Sequence, residues 1–175
     1  MPSPLNSDET VLAIDPGNFA TAYVLLSGDR KIRAFDKVEN SVFLERLRNI
    51  VRAETRPSIV ACEMIASYGL SVGASVFETA VFIGECKAEV SGYVPWVQVV
   101  RLEVKLAICH SPKANDSTIR TALIDLFGPP GTKKSPGPTY GISKDIWAAL
   151  GLAETVRAGA FRPYIPVHAR DTSKP

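Results

Sequence analysis

Short apolar runs alternate with helical periodicity along the chain, and this pattern predicts one α/β domain. Residues 10–14 form an apolar, partly β-branched run that is typical of a buried strand. Strands over residues 19–26 and 31–35, joined by a turn at residues 27–30, predict an antiparallel meander. A helical pattern over residues 40–54, capped by Asn40 or Ser41, leads to a second apolar run at residues 58–63. A strand in this position is expected to lie parallel to the first one.

The second half of the chain predicts four helices and one strand. The helices cover residues 74–90, 102–109, 116–127 and 143–158, with Asp116 and Ser143 as the caps of the last two. The strand at residues 93–100 is expected near an edge of the sheet because Pro95 interrupts it. A Gly- and Pro-rich loop spans residues 128–142. We expect a disordered leader at 1–8, a domain at 9–158 and an extended tail at 159–175.

Composition narrows the class of protein without fixing its partner. The chain has 175 residues, of which 46% are hydrophobic and 22% charged, which suits one domain with a full core. No apolar run is long enough to span a membrane and the first residues show no signal-peptide pattern, so we expect a cytoplasmic protein without a membrane partner. A net charge of +2 does not demand a nucleic-acid partner, although a local basic face is sufficient to bind one.

The three cysteines are predicted to be buried free thiols. Cys62, Cys86 and Cys109 form no Cys-x-x-Cys pair, and His110 and His168 are the only histidines. A zinc site and a disulfide framework are therefore not expected.

Three acidic residues stand at predicted ends of elements. Asp15 and Glu63 each end an apolar strand, so two parallel strands would bring them to the same edge of the sheet. Asp145 lies at the start of the last helix, from which it could face them. Plain alternatives are a turn at Asp15-Pro16-Gly17 and a favourable helix-dipole contact for Asp145. Three close carboxylates repel one another, and one or two Mg²⁺ or Mn²⁺ ions would remove that conflict and could clamp a phosphodiester.

Four stretches together resemble one known family. They are Ile14-Asp15-Pro16-Gly17, Cys62-Glu63, Val104-Lys105 with the Lys113–Asp116 segment, and the helix from Lys144 to Ala153. In this order they are similar to the ribonuclease H-like superfamily, and more closely to RuvC-type Holliday junction resolvases, including phage or prophage relatives. One departure is Ala148, which stands where the family's last helix commonly offers a second acid.

The resemblance carries specific expectations. It implies a ribonuclease H-like fold with a mixed five-stranded sheet, an antiparallel meander followed by parallel strands, flanked by helices. It further implies a homodimer that cuts four-way DNA junctions symmetrically in recombination and repair, with metal-activated water leaving 5′-phosphate ends. Asp15, Glu63 and Asp145 would be the catalytic residues and metal ligands.

Several side chains are candidates for contacts with DNA. Lys105, Lys113, Lys133, Lys134 and Lys144 could bind backbone phosphates, although each is also a plausible solvated surface lysine. Tyr68 could stack on opened bases at a junction, or be a partly buried loop residue. The helix at 74–90 carries apolar residues on more than one face, which suits either a dimer seam or a buried helix.

Other functions compete with junction resolution. A sugar kinase or actin-like ATPase also opens with a strand-end Asp, but the chain lacks the glycine-rich phosphate loops and second domain of those enzymes, so no nucleotide cofactor is expected. A junction-binding protein without efficient chemistry stays possible because of Ala148. A nuclease of the same fold that acts on RNA–DNA hybrids or other branched DNA also stays open.

Overall fold

One mixed sheet and five helices make up the regular structure of residues 1–66 and 73–165, the part of the chain that the computed structural model describes. Tyr68 and most of the expected tail lie outside these residues. The strands are β1 (Thr10–Pro16), β2 (Ala20–Ser27), β3 (Ile32–Glu39), β4 (Ile59–Met64) and β5 (Trp96–Val100). The helices are α1 (Asn40–Arg52), α2 (Ala74–Val90), α3 (Arg101–Cys109), α4 (Asp116–Phe127) and α5 (Ile146–Arg157).

The strand order is β3-β2-β1-β4-β5. The pairs β3–β2 and β2–β1 are antiparallel, whereas β4 runs parallel to both β1 and β5. This arrangement confirms the predicted meander followed by parallel strands. It also confirms that β5 is an edge strand, with Pro95 immediately before its first residue.

Side-chain alternation along the central strands produces a core on each face of the sheet. Leu12 and Ile14 belong to the core that contains α1 and α2, while Val11 and Ala13 belong to the core that contains α3, α4 and α5. All five positions of the last helix that the sequence assigns to the core are buried: Ile146, Ala149, Leu150, Ala153 and Val156. Helix α5 packs on β1 and β2 and is buried on almost every side, so its position is fixed by the centre of the sheet.

The ends of the strands differ from the prediction, and β5 begins at Trp96 rather than at residue 93. Strand β1 was expected to end at Asp15, but pairing with β2 continues until Pro16 lies opposite Thr21. The turn closes one residue later, where the Gly17 N–H donates to the Ala20 carbonyl at 3.2 Å. Strand β3 extends to residue 39 instead of 35 because its pairing with β2 persists along its full length.

The predicted helix caps are wrong. The cap of α4 is Asn115, whose side chain accepts a hydrogen bond from the Thr118 N–H at 2.9 Å, so Asp116 is the first residue of the helix. Helix α1 has Glu39 at its N-cap position and no side-chain cap. Helix α5 begins three residues later than expected, with Asp145 rather than Ser143 at the N-cap position.

The buried face of α2 also differs from the prediction. Apolar spacing predicts Val76, Ala80, Ile83 and Ala88 toward the core, but of these Ile83 is buried, Val76 is partly buried, and Ala80 and Ala88 are exposed. The other inward positions are taken by Thr79, Phe82, Cys86 and Val90. The helix is apolar on several sides, so periodicity alone could not identify the face that packs.

Smaller expectations can also be compared with the structure. Cys62, Cys86 and Cys109 are free; the first two are buried and the third is partly buried. The first eight residues, expected to form a disordered leader, contact the body of the domain: the Leu5 N–H donates to the Arg157 carbonyl at 2.8 Å. Among the described residues, no helix has the length and apolarity needed to cross a membrane.

The burial of α5 predicts a large loss of stability on truncation. Leu150 is fully buried, so Leu150→Ala should lower the free energy of unfolding by about 2–5 kcal/mol. Urea denaturation followed by circular dichroism measures this change. Val42→Ala is the control because Val42 is 42% exposed on α1, and a comparable loss for both variants would contradict the packing described here.

Candidate functional site

A row of side chains crosses the sheet at the end of β1. Asp15 pairs with Ala22, and Ala22 pairs with Lys37 on β3. On the other side, Glu63 follows Cys62, which pairs with Ile14. Residues in register share a face, and Ala22 belongs to the core built with α3, α4 and α5. Asp15, Glu63 and Lys37 therefore lie on the face that the start of α5 approaches.

Asp15 is the most strongly perturbed acid of this row. The pKa of its carboxyl is raised from 3.8 to about 7, chiefly by burial and then by the charges of Glu63 and Asp145, while Arg101 and Lys37 oppose the rise. A nearby hydrogen-bond network holds the turn that follows: the Asn40 side chain accepts from the Thr21 hydroxyl at 2.8 Å and donates to the Gly17 carbonyl at 3.0 Å. The structure thus fixes a largely buried carboxyl at the end of a central strand.

Glu63 is held by an arginine from the neighbouring element. Arg101, the first residue of α3, places Nη1 3.2 Å from Glu63 Oε2 and Nη2 2.6 Å from Asp116 Oδ1. Burial raises the pKa of Glu63, and the guanidinium of Arg101 opposes that rise. Arg101 therefore supplies a positive charge that favours the ionised form of Glu63 against the effect of burial.

Asp145 pairs with Lys37. Its side chain makes no cap hydrogen bond to α5 although it stands at the N-cap position, where the helix dipole still favours a negative charge. It contributes to the raised pKa of Asp15, which places its charge within range of that acid. The structure thus brings Glu63 and Asp145 near Asp15, with Arg101 paired to Glu63 and Lys37 paired to Asp145.

The donor chemistry of this region fits a hard divalent cation. Carboxylate oxygens are the ligands that Mg²⁺ and Mn²⁺ prefer, and their mutual repulsion at Asp15 is what such a cation would relieve. With the side chains as they stand, no three His, Cys, Asp or Glu residues in the described part of the chain are arranged to hold a metal ion. Glu63 and Asp145 are occupied by Arg101 and Lys37, so binding requires those ion pairs to open.

A cleft of about 330 Å³ adjoins the acids. Its basic lining residues are Arg101, Arg120 and Lys144, and Ala148 lies on its wall. The guanidinium of Arg120 lies 5.4 Å from the centre of the Trp147 ring. The cleft therefore combines positive charge with an aromatic wall beside the acid centre, and the small side chain at position 148 leaves it open.

The predicted basic residues fall into two groups. Lys144 lines the cleft. Lys105 lines a smaller groove together with Arg101 and Pro112, and Lys113 directly follows Pro112 in the chain. Lys133 and Lys134 are exposed in a loop whose base, Phe127 and Pro138, faces the turn before β3. That turn lies at the opposite end of β1 from Asp15, because the Gly28 N–H bonds to the Glu9 carbonyl. The structure does not bring this second group to the acids.

Sequence reasoning missed the two cations of the centre. Arg101 directly follows β5, and a charged residue at a strand end is a detectable signal, but the predicted helix began one residue later. Lys37 stood outside the predicted third strand, and its register with Asp15 follows only from pairing across β2. No local pattern in the sequence reveals that register.

Solved structures share this arrangement of elements. RuvC of Thermus thermophilus in complex with a Holliday junction substrate matches with a TM-score of 0.62 and 18% identity, covering 89% of this chain and 99% of that one. A second T. thermophilus RuvC structure matches with a TM-score of 0.58, 19% identity and the same coverage. The chain has the RuvC fold. The yeast mitochondrial Holliday junction resolvase Ydc2 matches with a TM-score of 0.56 and 13% identity, covering 90% of this chain and 79% of that one.

Sequence comparison adds no closer relative. No protein-family model and no curated protein matches the chain. The RuvC fold confirms the expected mixed sheet flanked by helices, while the chemistry of the site depends on the residues described above.

The raised pKa of Asp15 predicts how stability varies with pH. Because the folded-state pKa of about 7 exceeds the ordinary 3.8, the folded protein binds more protons between these values, and stability falls as pH rises from about 4 to 7. Asp15→Asn removes this contribution, so the stability of the variant relative to the wild type should rise by up to about 3 kcal/mol between pH 4.5 and 8.

Urea unfolding in EDTA across that pH range measures the difference. The exposed Asp125 provides a control, Asp125→Asn. A wild type and an Asp15→Asn variant with parallel pH profiles would show that Asp15 is not a buried acid of raised pKa.

Proposed function

We propose that this protein is a divalent-metal-dependent endonuclease that cuts four-way DNA junctions. The observation that carries the proposal is the meeting of Asp15, Glu63 and Asp145 at the carboxyl edge of two parallel strands, beside a basic cleft. Its RuvC fold supports the substrate class, because the matching proteins are described as Holliday junction resolvases and one is bound to such a junction.

Asp15, Glu63 and Asp145 are the residues that would hold the cation. When bound, a divalent ion supplies Lewis-acid activation of water and neutralises charge on the phosphodiester. The protein contributes position: two acids are fixed by adjacent strands and the third by the start of a buried helix. At neutral pH the acid with the raised pKa, Asp15, is the one whose ionisation depends most on a nearby positive charge.

The cleft is suited to the backbone of the substrate. Arg120 and Lys144 line it, and Lys105 lies in the adjoining groove. Contacts from such side chains to phosphate give affinity without base readout, which fits recognition by shape. We assign DNA contact first to Lys105, Lys113 and Lys144, which lie on the side of the acid centre.

The proposed enzyme acts as a cytoplasmic homodimer. Two cuts related by symmetry require two centres, and α2 offers a surface for a second copy. Phe77 and Val81 on that helix are 62% and 64% exposed, an unusual amount for large apolar side chains that are neighbours on one face.

A junction-binding protein without chemistry is the second candidate. Ala148 supports it, because no acid stands at this position one turn after Asp145, and so do the ion pairs that occupy Glu63 and Asp145. The two functions differ in one observable, which is whether a bound junction is cut.

Cleavage of a labelled synthetic junction tests the proposal. With Mg²⁺ or Mn²⁺ the wild-type protein should introduce paired symmetric nicks in a four-way junction, with no cutting in EDTA or in a linear duplex of matching sequence. Asp15→Asn should bind the junction and leave it intact, because the amide removes one anionic ligand.

Two results would contradict the proposal. A junction that is retarded in a gel but uncut in both metals would favour the binding protein. Normal cutting by Asp15→Asn would show that the acid centre is assigned to the wrong residues.

Lysines near the acids and lysines far from them should contribute differently to the salt dependence of junction binding. In an Asp15→Asn background, Lys105→Gln with Lys144→Gln should reduce the slope of log affinity against log salt concentration by about 2, one for each lost phosphate contact. Lys133→Gln with Lys134→Gln removes the same charge far from the acids and should change the slope less. Fluorescence anisotropy with a labelled junction measures both slopes, and the reverse ranking would place the DNA on the other end of the sheet.

A further inference from the structure

Arg101 occupies a distinctive position at the acid centre. It is the first residue of α3, directly after the edge strand β5, which pairs with the strand that carries Glu63. Its side chain is 22% exposed and forks between two acids, with Nη1 3.2 Å from Glu63 and Nη2 2.6 Å from Asp116. The planar guanidinium suits such a bridge, since its donors have fixed geometry.

The ion pair between Arg101 and Glu63 is less exposed to solvent than the ion pair between Lys37 and Asp145. The Glu63 side chain is 17% exposed, whereas Lys37 and Asp145 are 36% and 50% exposed. Exposed pairs are weakened by water and open easily, while a partly buried arginine keeps its charge and its partner. Arg101 is therefore the cation that a divalent ion must displace in order to bind the Glu63 carboxylate.

We propose that Arg101 is the resident counter-cation of the acid centre, which holds Glu63 in the metal-free protein and competes with a divalent ion for that carboxylate. This inference rests on the proposed function in one respect, that Glu63 is a metal ligand. Arg101 stabilises the centre before metal binds, and it lowers the affinity for metal below that of the three acids alone.

Asp116 gives the competition a defined endpoint. It is an exposed residue at the first turn of α4, and its carboxylate holds the second arm of Arg101. When Glu63 turns to a cation, Arg101 keeps this outer partner and is not left unpaired. Its charge then stays at the wall of the cleft, where a phosphate of the substrate would lie.

Binding of MnCl₂ to the DNA-free protein tests the proposal. Isothermal titration calorimetry, with electron paramagnetic resonance of free Mn²⁺ as a second readout, should show at least tenfold tighter binding by Arg101→Gln than by the wild type. Arg101→Lys keeps the charge but cannot fork between two acids, so its affinity should fall between the two. Thermal melting should show a lower Tm for Arg101→Gln in EDTA and a larger rise on adding Mn²⁺.

Arg120→Gln is the matched control. Arg120 lines the same cleft but lies over the Trp147 ring, and among the described contacts it pairs with none of the three acids. Its affinity for Mn²⁺ should stay within threefold of the wild type. If Arg120→Gln and Arg101→Gln raise the affinity for Mn²⁺ equally, the increase comes from the loss of one positive charge anywhere in the cleft. That result would overturn the proposal.

Other outcomes are equally decisive. A folded Arg101→Gln protein that binds Mn²⁺ no more tightly than the wild type overturns the proposal, and if that variant does not fold, an unchanged affinity of Arg101→Lys does the same. A wild type that cuts junctions combined with unchanged Mn²⁺ affinity in the variants refutes the counter-cation and leaves the nuclease. Tighter Mn²⁺ binding by Arg101→Gln with no junction cutting by the wild type supports the counter-cation and refutes the nuclease.

Discussion

Charge balance among three buried or half-buried acids is the constraint on which the site depends. Glu63 has Arg101 and Asp145 has Lys37, whereas Asp15 feels both cations only at a distance. Burial of an acid without its own cation favours the protonated form, which is why Asp15 carries the pKa of about 7. Two of the three acids are compensated by side-chain cations, and the raised pKa of Asp15 makes its protonated form more accessible, so both effects lower the electrostatic cost of the cluster.

Helix α5 links that cluster to the rest of the fold. Its start is tied to β3 through Asp145 and Lys37, and Glu154 near its end, only 4% exposed, pairs with Arg30 at 3.0 Å in the turn before β3. Its apolar residues pack on β1 and β2 between these two ion pairs. The edge meander therefore does more than widen the sheet, because it contacts both ends of the helix whose start carries the third acid.

The sequence was sufficient for the fold class and for the approach of Glu63 and Asp145 to Asp15, because both leave local signals. Apolar runs that end in a carboxylate predicted β1 and β4, and helical spacing predicted α5 and its buried face. The partners of the acids were not predictable, since the contact of Lys37 with Asp145 follows from strand pairing and helix placement together. Helix α2 shows the same limit: a helix that is apolar on many sides does not reveal which face is buried until its neighbours are known.

The electrostatic cost of the acid centre argues for chemistry rather than binding alone. Carboxylates repel phosphates, so a protein that only binds DNA would gain affinity by replacing Asp15 with a neutral residue. Keeping it buried lowers stability at neutral pH. Strongly perturbed acids are typical of functional sites, and the cleft that adjoins the acid centre is lined by Arg101, Arg120 and Lys144, which can attract the phosphate that the acids repel. Opposite charges arranged side by side suit a site that must hold a cation and a phosphodiester at the same time.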